Sequence, residues 1–436
     1  MIVNLKEQHC ENFLQSLHKE QWQEVRLGNS PIQIIDGDRG KNYPKHNDFL
    51  PNGYCLFLNT KNIPNSQFNF TECQFIDKNR DDMLRKGKLQ LQDIVMTTRG
   101  TIGNIALYDN RVPYNHIRIN SSMVILRPNI DKVVSQFLLY AILSNKENIT
   151  NLVSGSAQPQ LPIKDLIKLT IPLPPLTIQQ KIAEILSSFD DKIDLLHRQN
   201  KTLESLALTL FRHYFIDNPR NPKSVVGVGE SLRGGGSDFA IQAPPFSHQK
   251  SGKWKMGKLG DYVRIELGGT PNTAKSEYWG GDIAWINSGE INKFRIVKPT
   301  KTITKLGFEK SSTKLLPKGS VVIAITGATL GQVSLLEIDS CANQSVVGVI
   351  PNDDFSSEFL YLWIKFNIDE IILNQTGGAQ QHINKNDIAN YHIIKPDKES
   401  LASVNLKTYF EKISHNTKQI QNLQAMRDML LKAIFE

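Results

Sequence analysis

The sequence predicts an α/β (α+β) protein made of two similar mixed α/β modules joined by two long antiparallel coiled-coil helices. Three observations carry this expectation. Paired signatures recur in one order at an offset of about 220 to 232 residues, short apolar runs bounded by Gly, Pro and Asn fill each repeat, and each repeat ends in a long heptad-spaced stretch. The resulting boundaries are residues 1–170 for the first module, 171–217 for its helical spacer, 218–252 for a linker, 253–396 for the second module and 397–436 for the second spacer.

The repeat is read from segments that match in order. Trp22–Asn29 matches Trp254–Asp261, Leu58–Ile63 matches Ile286–Ile291, and Asp93–Gly103 matches Ser320–Gly331 with one inserted residue. Asn120–Pro128 then pairs with Asn343–Pro351, and Ser154–Leu166 lies opposite Thr376–Ile388 at a constant offset of 222. Between these anchors, Asp36–Asn52 and Thr270–Gly281 hardly resemble each other. The scaffold repeats while the loops differ. Strands are expected at Cys55–Leu58, Ile94–Thr98, Met123–Leu126, Ile283–Ile286, Val321–Thr326 and Val346–Ile350, and short helices at Phe137–Leu143 and Phe359–Phe366. Trp22 and Trp254 read as core.

Pro174-Pro175 ends an extended segment, after which Thr177 and Gln180 form a capping-box pattern that predicts a helix from Thr177 to Phe215. Its seam is expected at Ile182, Phe189, Leu196, Leu203 and Leu210, with Ile178, Ile185 and Leu206 at the companion position and Lys192 and Gln199 interrupting. A second helix from about Ser400 offers Leu406, Ile413, Ile420 and Ile434 with Tyr409, Leu423 and Leu430; Asn416 and Arg427 interrupt it. Antiparallel packing of the two would hold the modules apart and facing opposite ways. Between them, ten Gly or Pro in residues 218–252 predict a flexible linker.

Composition narrows the function. The 436 residues are 40% hydrophobic and 22% charged, with 51 Lys+Arg against 43 Asp+Glu, a net charge of +8 that suits a polyanion without demanding one. No apolar run reaches the roughly 18 residues of a membrane span and no secretory leader is visible, so the cytoplasm is the expected compartment. The four cysteines lack metal-ligand spacing and read as reduced thiols. No phosphate-cradling GxxxxGK[ST], nucleophile elbow, HExxH or deaminase signature occurs, so no catalytic residue, cofactor or metal is assigned to this chain. The acidic pairs Asp81-Asp82, Asp190-Asp191 and Asp353-Asp354 read as solvated charges.

Basic surface remains, in matching places. Residues 292–318 hold eight Lys or Arg, among them Lys293, Arg295, Lys298, Lys301 and Lys305, against the single acid Glu309. The first repeat offers Arg80, Lys88 and Arg99 before or within its glycine turn. Such cations meet phosphates and supply salt-sensitive affinity, whereas base reading needs Arg on guanine and Asn or Gln on adenine. The variable loops supply these groups: Arg39, Lys41, Tyr43, Lys45 and His46, then Tyr114, Asn115, His116 and Arg118, in the first half. In the second half they are Thr270, Asn272, Lys275, Tyr278 and Trp279. Gln158 and Gln160, with Gln380 and Gln381, lie in the repeated Gly-x-Ala-Gln loops.

The tandem modules, the Pro172–Leu186 helix start, the glycine turns and the Gly-Ser-Ala-Gln loop together resemble the specificity (S) subunit of type I restriction-modification systems over nearly the whole chain. The resemblance implies target-recognition domains, each reading one half of a bipartite asymmetric site in double-stranded DNA, on helices that set the spacer. It implies two modification (methyltransferase) subunits carrying S-adenosylmethionine, and restriction (translocase/nuclease) subunits using ATP and Mg. Around Lys395–Leu401 the second helix departs from the Pro-Pro-Leu pattern of the first. A coiled-coil adaptor or RNA-binding protein, and a degenerate bifunctional DNA-modifying enzyme, are the competing readings.

Overall fold

The structure, a computed structural model, describes residues 13–17, 19–64, 67–155, 159–222, 253–373 and 382–436. The chain divides into two compact units, Met1–Asp194 with Asn422–Glu436, and Leu195–Gln421. Both dividing points fall inside the long helices.

In the first unit the elements run β1 (Gln23–Arg26), β2 (Ile32–Asp36), β3 (Cys55–Leu58), β4 (Phe75–Ile76), α1 (Lys78–Met83), β5 (Ile94–Thr97), β6 (Ile105–Leu107), β7 (Ile117–Ile119), β8 (Met123–Pro128), α2 (Ser135–Ser144), β9 (Thr170–Leu173) and α3 (Leu176–Phe211). They build an antiparallel β1–β9 ribbon, a four-stranded sheet in the order β2-β8-β5-β6, and a small sheet β4-β3-β7 whose β3–β7 pair is parallel. The second unit continues with β10 (Lys255–Lys258), β11 (Arg264–Leu267), β12 (Trp279–Ile286), β13 (Arg295–Ile296), β14 (Lys301–Ile303), β15 (Val321–Ala324), β16 (Val333–Leu336), β17 (Cys341–Ala342), β18 (Val346–Ile350), α4 (Ser357–Leu373), β19 (His392–Lys395), α5 (Lys398–Val404) and α6 (Leu406–Phe435). It repeats the plan as β10–β19, β11-β18-β15-β16 extended by β13, and β14-β12-β17. Duplication is thus visible in strand order, parallel pair included.

Continuous apolar strands follow from burial on both faces. Ile94 and Met96 of β5 and Val124 and Leu126 of β8 face one core, with Leu138 and Ile142 of α2, while Val95, Met123 and Ile125 face a second core shared with Leu56 and Ile117 of the small sheet. In the second unit Val321 and Ile323 turn to the aromatic core of Phe359 and Trp363, and Val322 and Ala324 to Ile286 and Leu316. Each fully buried Val, Ile or Leu contributes roughly 1.5–3 kcal/mol. Trp254 is buried and Trp22 half-buried, its indole N–H donating to the Leu17 carbonyl at 2.9 Å.

The helices modify three expectations. First, α3 begins at Leu176, with the Pro175 carbonyl accepting from Ile178 and Gln179, so Thr177 lies within the helix rather than capping it. Gln179 fastens this start: its amide donates to the Pro174 and Lys132 carbonyls and its oxygen accepts from Val134 N–H at 2.9 Å. Second, the line through Ile182 and Leu196 is buried as expected, but its companion runs through Leu186, Ile193 and Ala207, whereas Leu206 is 39% exposed. Third, the second helix is divided at Asn405, which adopts left-handed φ 43°, into α5 and α6. The main line of α6 holds, with Leu406, Ile413, Ile420 and Ile434 buried; of its companion Leu430 is buried, Tyr409 and Leu423 are half-buried, and Phe410 is buried instead.

Of the interrupting polar residues, Arg427 and Asn416 are paired, whereas Lys192 is exposed. In the first unit Arg427 donates to Asp190 at 2.7 Å and Tyr140 to the same carboxylate at 2.6 Å, while Ile182 and Leu186 pack with Leu430 and Ile434, an antiparallel arrangement. In the second unit Asn416 donates to Asn200 at 2.9 Å. Asp190 and Asp81 are therefore not solvated acids, contrary to the sequence reading. Among the described residues Cys55 and Cys341 are buried, Cys73 is half-buried, all three are free thiols, and no helix is long and apolar enough to cross a membrane.

Candidate nucleic-acid interface

In the first unit the variable loop leaves β2 over a fixed base. Gly37 packs so closely on the turn after β7 that a Cβ there would sit 2.3 Å from the Asn120 carbonyl oxygen. The buried Asp38 carboxylate accepts from Gly40 N–H at 2.8 Å and Arg85 N–H at 2.7 Å. Burial alone raises the Asp38 pKa, but those two amides and the Arg85 charge outweigh it and bring the pKa down to about 2. Arg39 donates to Asp36 at 3.2 Å and to the Ser121 carbonyl at 3.3 Å, with its side chain 53% exposed. Tyr43 packs edge-on against Phe57 at 5.7 Å and accepts from Ser121 N–H, and Arg80 is tied to Asp48 at 2.7 Å. Tyr43 and Arg80 thus shape the loop. Lys41, Lys45 and His46 lie exposed beyond it.

Further along the module, Asn115 is exposed, His116 stacks on Tyr54 at 4.3 Å, and Tyr114 is half-buried against Phe70 and Phe75. At the glycine turn, Gly100 and Gly103 take φ of +70° and +82°, and the Gly103 amide donates to the Thr97 carbonyl. Gly327 and Gly331 repeat this at +69° and +81°, with Gly331 donating to Ala324. Positive φ at both ends requires glycine. The turn also receives the chain just after the Gly-x-Ala-Gln sequence. Leu161 N–H donates to the Thr98 carbonyl at 2.9 Å, which brings Arg99 against Gln160 with a 3.1 Å hydrogen bond between exposed side chains. Ile383 bonds Ile325 equivalently at 3.1 Å. Gln158, Gln380 and Gln381 lie outside the described residues, as do residues 223–252 of the expected linker.

Two expected contacts are structural residues instead. Arg118, 5% exposed, donates to the fully buried Asp81 and to the Lys86 carbonyl. Burial alone raises the Asp81 carboxyl, yet Lys88 and Arg118 together hold it below its ordinary range. Lys88 is thereby engaged from the rim. Arg295, 7% exposed, pairs with Glu337, donates to the Phe410 carbonyl at 2.9 Å and lies between the Phe294 and Phe410 rings. Neither arginine can reach a duplex without unfolding its core.

In the second unit the loop after β11 repeats the anchoring: a Cβ on Gly268 would lie 2.1 Å from the Asn343 carbonyl oxygen. Thr270 then donates to Gln344 in the turn before β18. Lys275 donates to the Tyr278 hydroxyl at 3.3 Å, Trp279 N–H reaches the Asn272 carbonyl at 3.3 Å, and Lys301 lies 5.5 Å from the Trp279 ring. The structure therefore gathers Asn272, Lys275, Trp279 and Lys301 into one aromatic and cationic surface. Tyr278 is buried beneath it, which removes it as a contact. Lys293, Lys298 and Lys305 are exposed. Sequence reasoning missed Gln344 and Tyr54. Gln344 lay inside the matched segment Asn343–Pro351, but only the fold carries the Thr270 loop to it.

One scaffold occurs twice with unlike loops on matching anchors, which defines a tandem-domain protein built to present two different surfaces. Residues 19–205 and 251–425 each match the model of the type I restriction modification DNA specificity domain, and the chain belongs to that family. It is 25% identical over 450 aligned residues to the type I restriction enzyme HindI specificity subunit of Haemophilus influenzae, covering 91% of this chain and 96% of that protein. It is 28% identical over 351 residues to the MjaIX specificity subunit of Methanocaldococcus jannaschii, covering 78% and 76%. A crystal structure of a type I restriction-modification S subunit from M. genitalium covers 95% of this chain and 96% of that chain, with TM-score 0.53 and 16% identity, a likeness of fold.

Proposed function

We propose that this chain is the specificity subunit of a type I restriction-modification complex, its two modules each reading one half of a bipartite, asymmetric sequence in double-stranded DNA. The observation that carries the reading is the pair of anchors, Gly37 on Asn120 and Gly268 on Asn343, from which dissimilar loops spring. A palindrome would need identical readers, and an asymmetric site needs two related but different ones. In this reading the exposed Lys298, Lys301 and Lys305 serve phosphates, and Arg39, Lys41, Arg99, Gln160, Asn272 and Lys275, all exposed, meet base edges. Helix α3, 36 residues and about 54 Å long, is of the right scale to set a spacer between half-sites. It also offers surface for docking two modification subunits. Methyl transfer, with S-adenosylmethionine, belongs in this reading to those partners, and ATP-dependent cleavage to restriction subunits.

Exchanging residues 36–47 for the corresponding loop of another family member tests this. Mapping methylated adenines in cells should show one half-site changed and the other intact. An unchanged motif refutes the loop assignment.

A further inference from the structure

The two modules place one pair of positions identically. In the first, two residues beyond the anchoring Gly37, Arg39 bonds Ser121 in the turn joining the small sheet to the large one. In the second, two residues beyond Gly268, Thr270 bonds Gln344 in the same turn. The turns are alike in role: Asn120 accepts from Ser122 N–H at 2.9 Å and Asn343 from Ser345 N–H at 3.2 Å. Each module thus joins its variable loop to its scaffold at an exposed side-chain junction, and the chemistry there differs, a guanidinium in one and a primary amide in the other.

We infer that Gln344, held by Thr270, is the adenine-reading residue of the second module, on the scaffold side of the junction whose loop side carries Arg39 in the first module. The inference rests on the DNA-reading function proposed above. Gln344 is exposed, yet its amide is not free to spin. Thr270 occupies one lone pair of Oε1, and on this exposed side chain the second lone pair and both Nε2–H groups remain available to a ligand. That is the acceptor and donor pair that meets adenine N6–H and N7 in the major groove. Fixing it beforehand removes rotamer entropy from the binding step. In the first module the exposed group at this junction is instead on the loop side: Arg39, the counterpart of Thr270, is fixed by Asp36 and the Ser121 carbonyl and presents the donor-only pattern that suits guanine O6 and N7. Two modules that share this junction but expose unlike groups from its two sides would read unlike bases there.

The experiment uses the full complex of this chain with its modification subunits. Binding is measured to the cognate duplex and to duplexes in which each base pair of the second half-site is changed in turn. Wild type should lose about 5- to 150-fold at the adenine read by Gln344, as for a bidentate contact. Gln344→Ala should lose nothing further at that position while keeping its discrimination at every other, and Thr270→Val should relax the same position partially. The inference is overturned if Gln344→Ala weakens all duplexes alike, which marks a merely structural residue, or if it discriminates at every position as wild type does. Failure of the parent reading looks different: wild type itself would show no preference among these duplexes, and deleting the gene would leave adenine methylation in cells unchanged.

Discussion

Replacing Arg118 by Ala separates a core residue from a DNA contact. Asp81 is wholly buried and Arg118 almost so, which makes their pairing a buried ion pair with Lys88 attached at its edge. Removing Arg118 leaves the buried Asp81 carboxylate with only the rim cation Lys88 of its two partners, at about 3–5 kcal/mol. For a unit of roughly 200 residues each kcal/mol lowers Tm by about 2–4 °C, so the first-unit transition should fall by roughly 6–20 °C. An exposed contact arginine would move stability by no more than about 0.5 kcal/mol, near 2 °C. The second module supplies a control. Aligning the β3–β4 pairing with that of β12–β14 sets Ile76 against Ile303 and therefore Asp81 against Phe308, while the β3–β7 and β12–β17 pairs set Arg118 against Cys341. There Phe308 and Cys341 share an apolar cluster with Trp285 and Ile303. The double variant Asp81→Phe, Arg118→Cys should accordingly recover most of the stability that Arg118→Ala forfeits, as apolar replacement of a buried pair often does. Thermal melts by circular dichroism, with duplex binding measured below the transition, read both effects. An Arg118→Ala protein that melts within about 2 °C of wild type and yet fails to bind DNA would refute the assignment to the core.

The exposed lysines call for the opposite behaviour. Lys298, Lys301 and Lys305 replaced together by Ala should weaken binding to all duplexes and lower the slope of log affinity against log salt by up to about 2.7, near 0.9 for each phosphate no longer neutralised; an unchanged slope would place these lysines off the duplex. Asp38 makes the first loop acid-sensitive. Its pKa is lowered to about 2, so the stability it adds is complete above the ordinary carboxylate value near 4 and disappears as pH falls through 2. That lowering corresponds to roughly 2 kcal/mol. Denaturant titrations between pH 5 and 2 should show Asp38→Asn lacking that portion of the acid destabilisation, and identical pH profiles would count against the role.

How far the sequence could be read depended on distance along the chain. The strands were legible because continuous apolar runs such as Cys55–Leu58 and Val321–Ala324 are buried on both faces, a local signature of a sheet lying between two cores. The main line of α6 was legible because Leu406, Ile413, Ile420 and Ile434 recur at one heptad position. The companion line of α3 was not: Ile and Leu are dense enough to offer Ile185 with Leu206 or Leu186 with Ala207, and only packing against the rest of the fold puts Ala207 inside and Leu206 outside. Charges were the least legible. In Ile-Arg-Ile, residues 117–119, alternation suggests a central side chain turned to solvent. Both faces of that small sheet are covered, however, so Arg118 is interior and finds Asp81, 37 residues away. Arg295 likewise answers to Glu337 and to a carbonyl 115 residues distant. A basic residue in such a chain can be assigned to DNA only after the acids that fold back on it are known. By that criterion the exposed Lys298 and Lys301 and the Thr270–Gln344 junction are stronger candidates than the buried arginines that composition brought forward first.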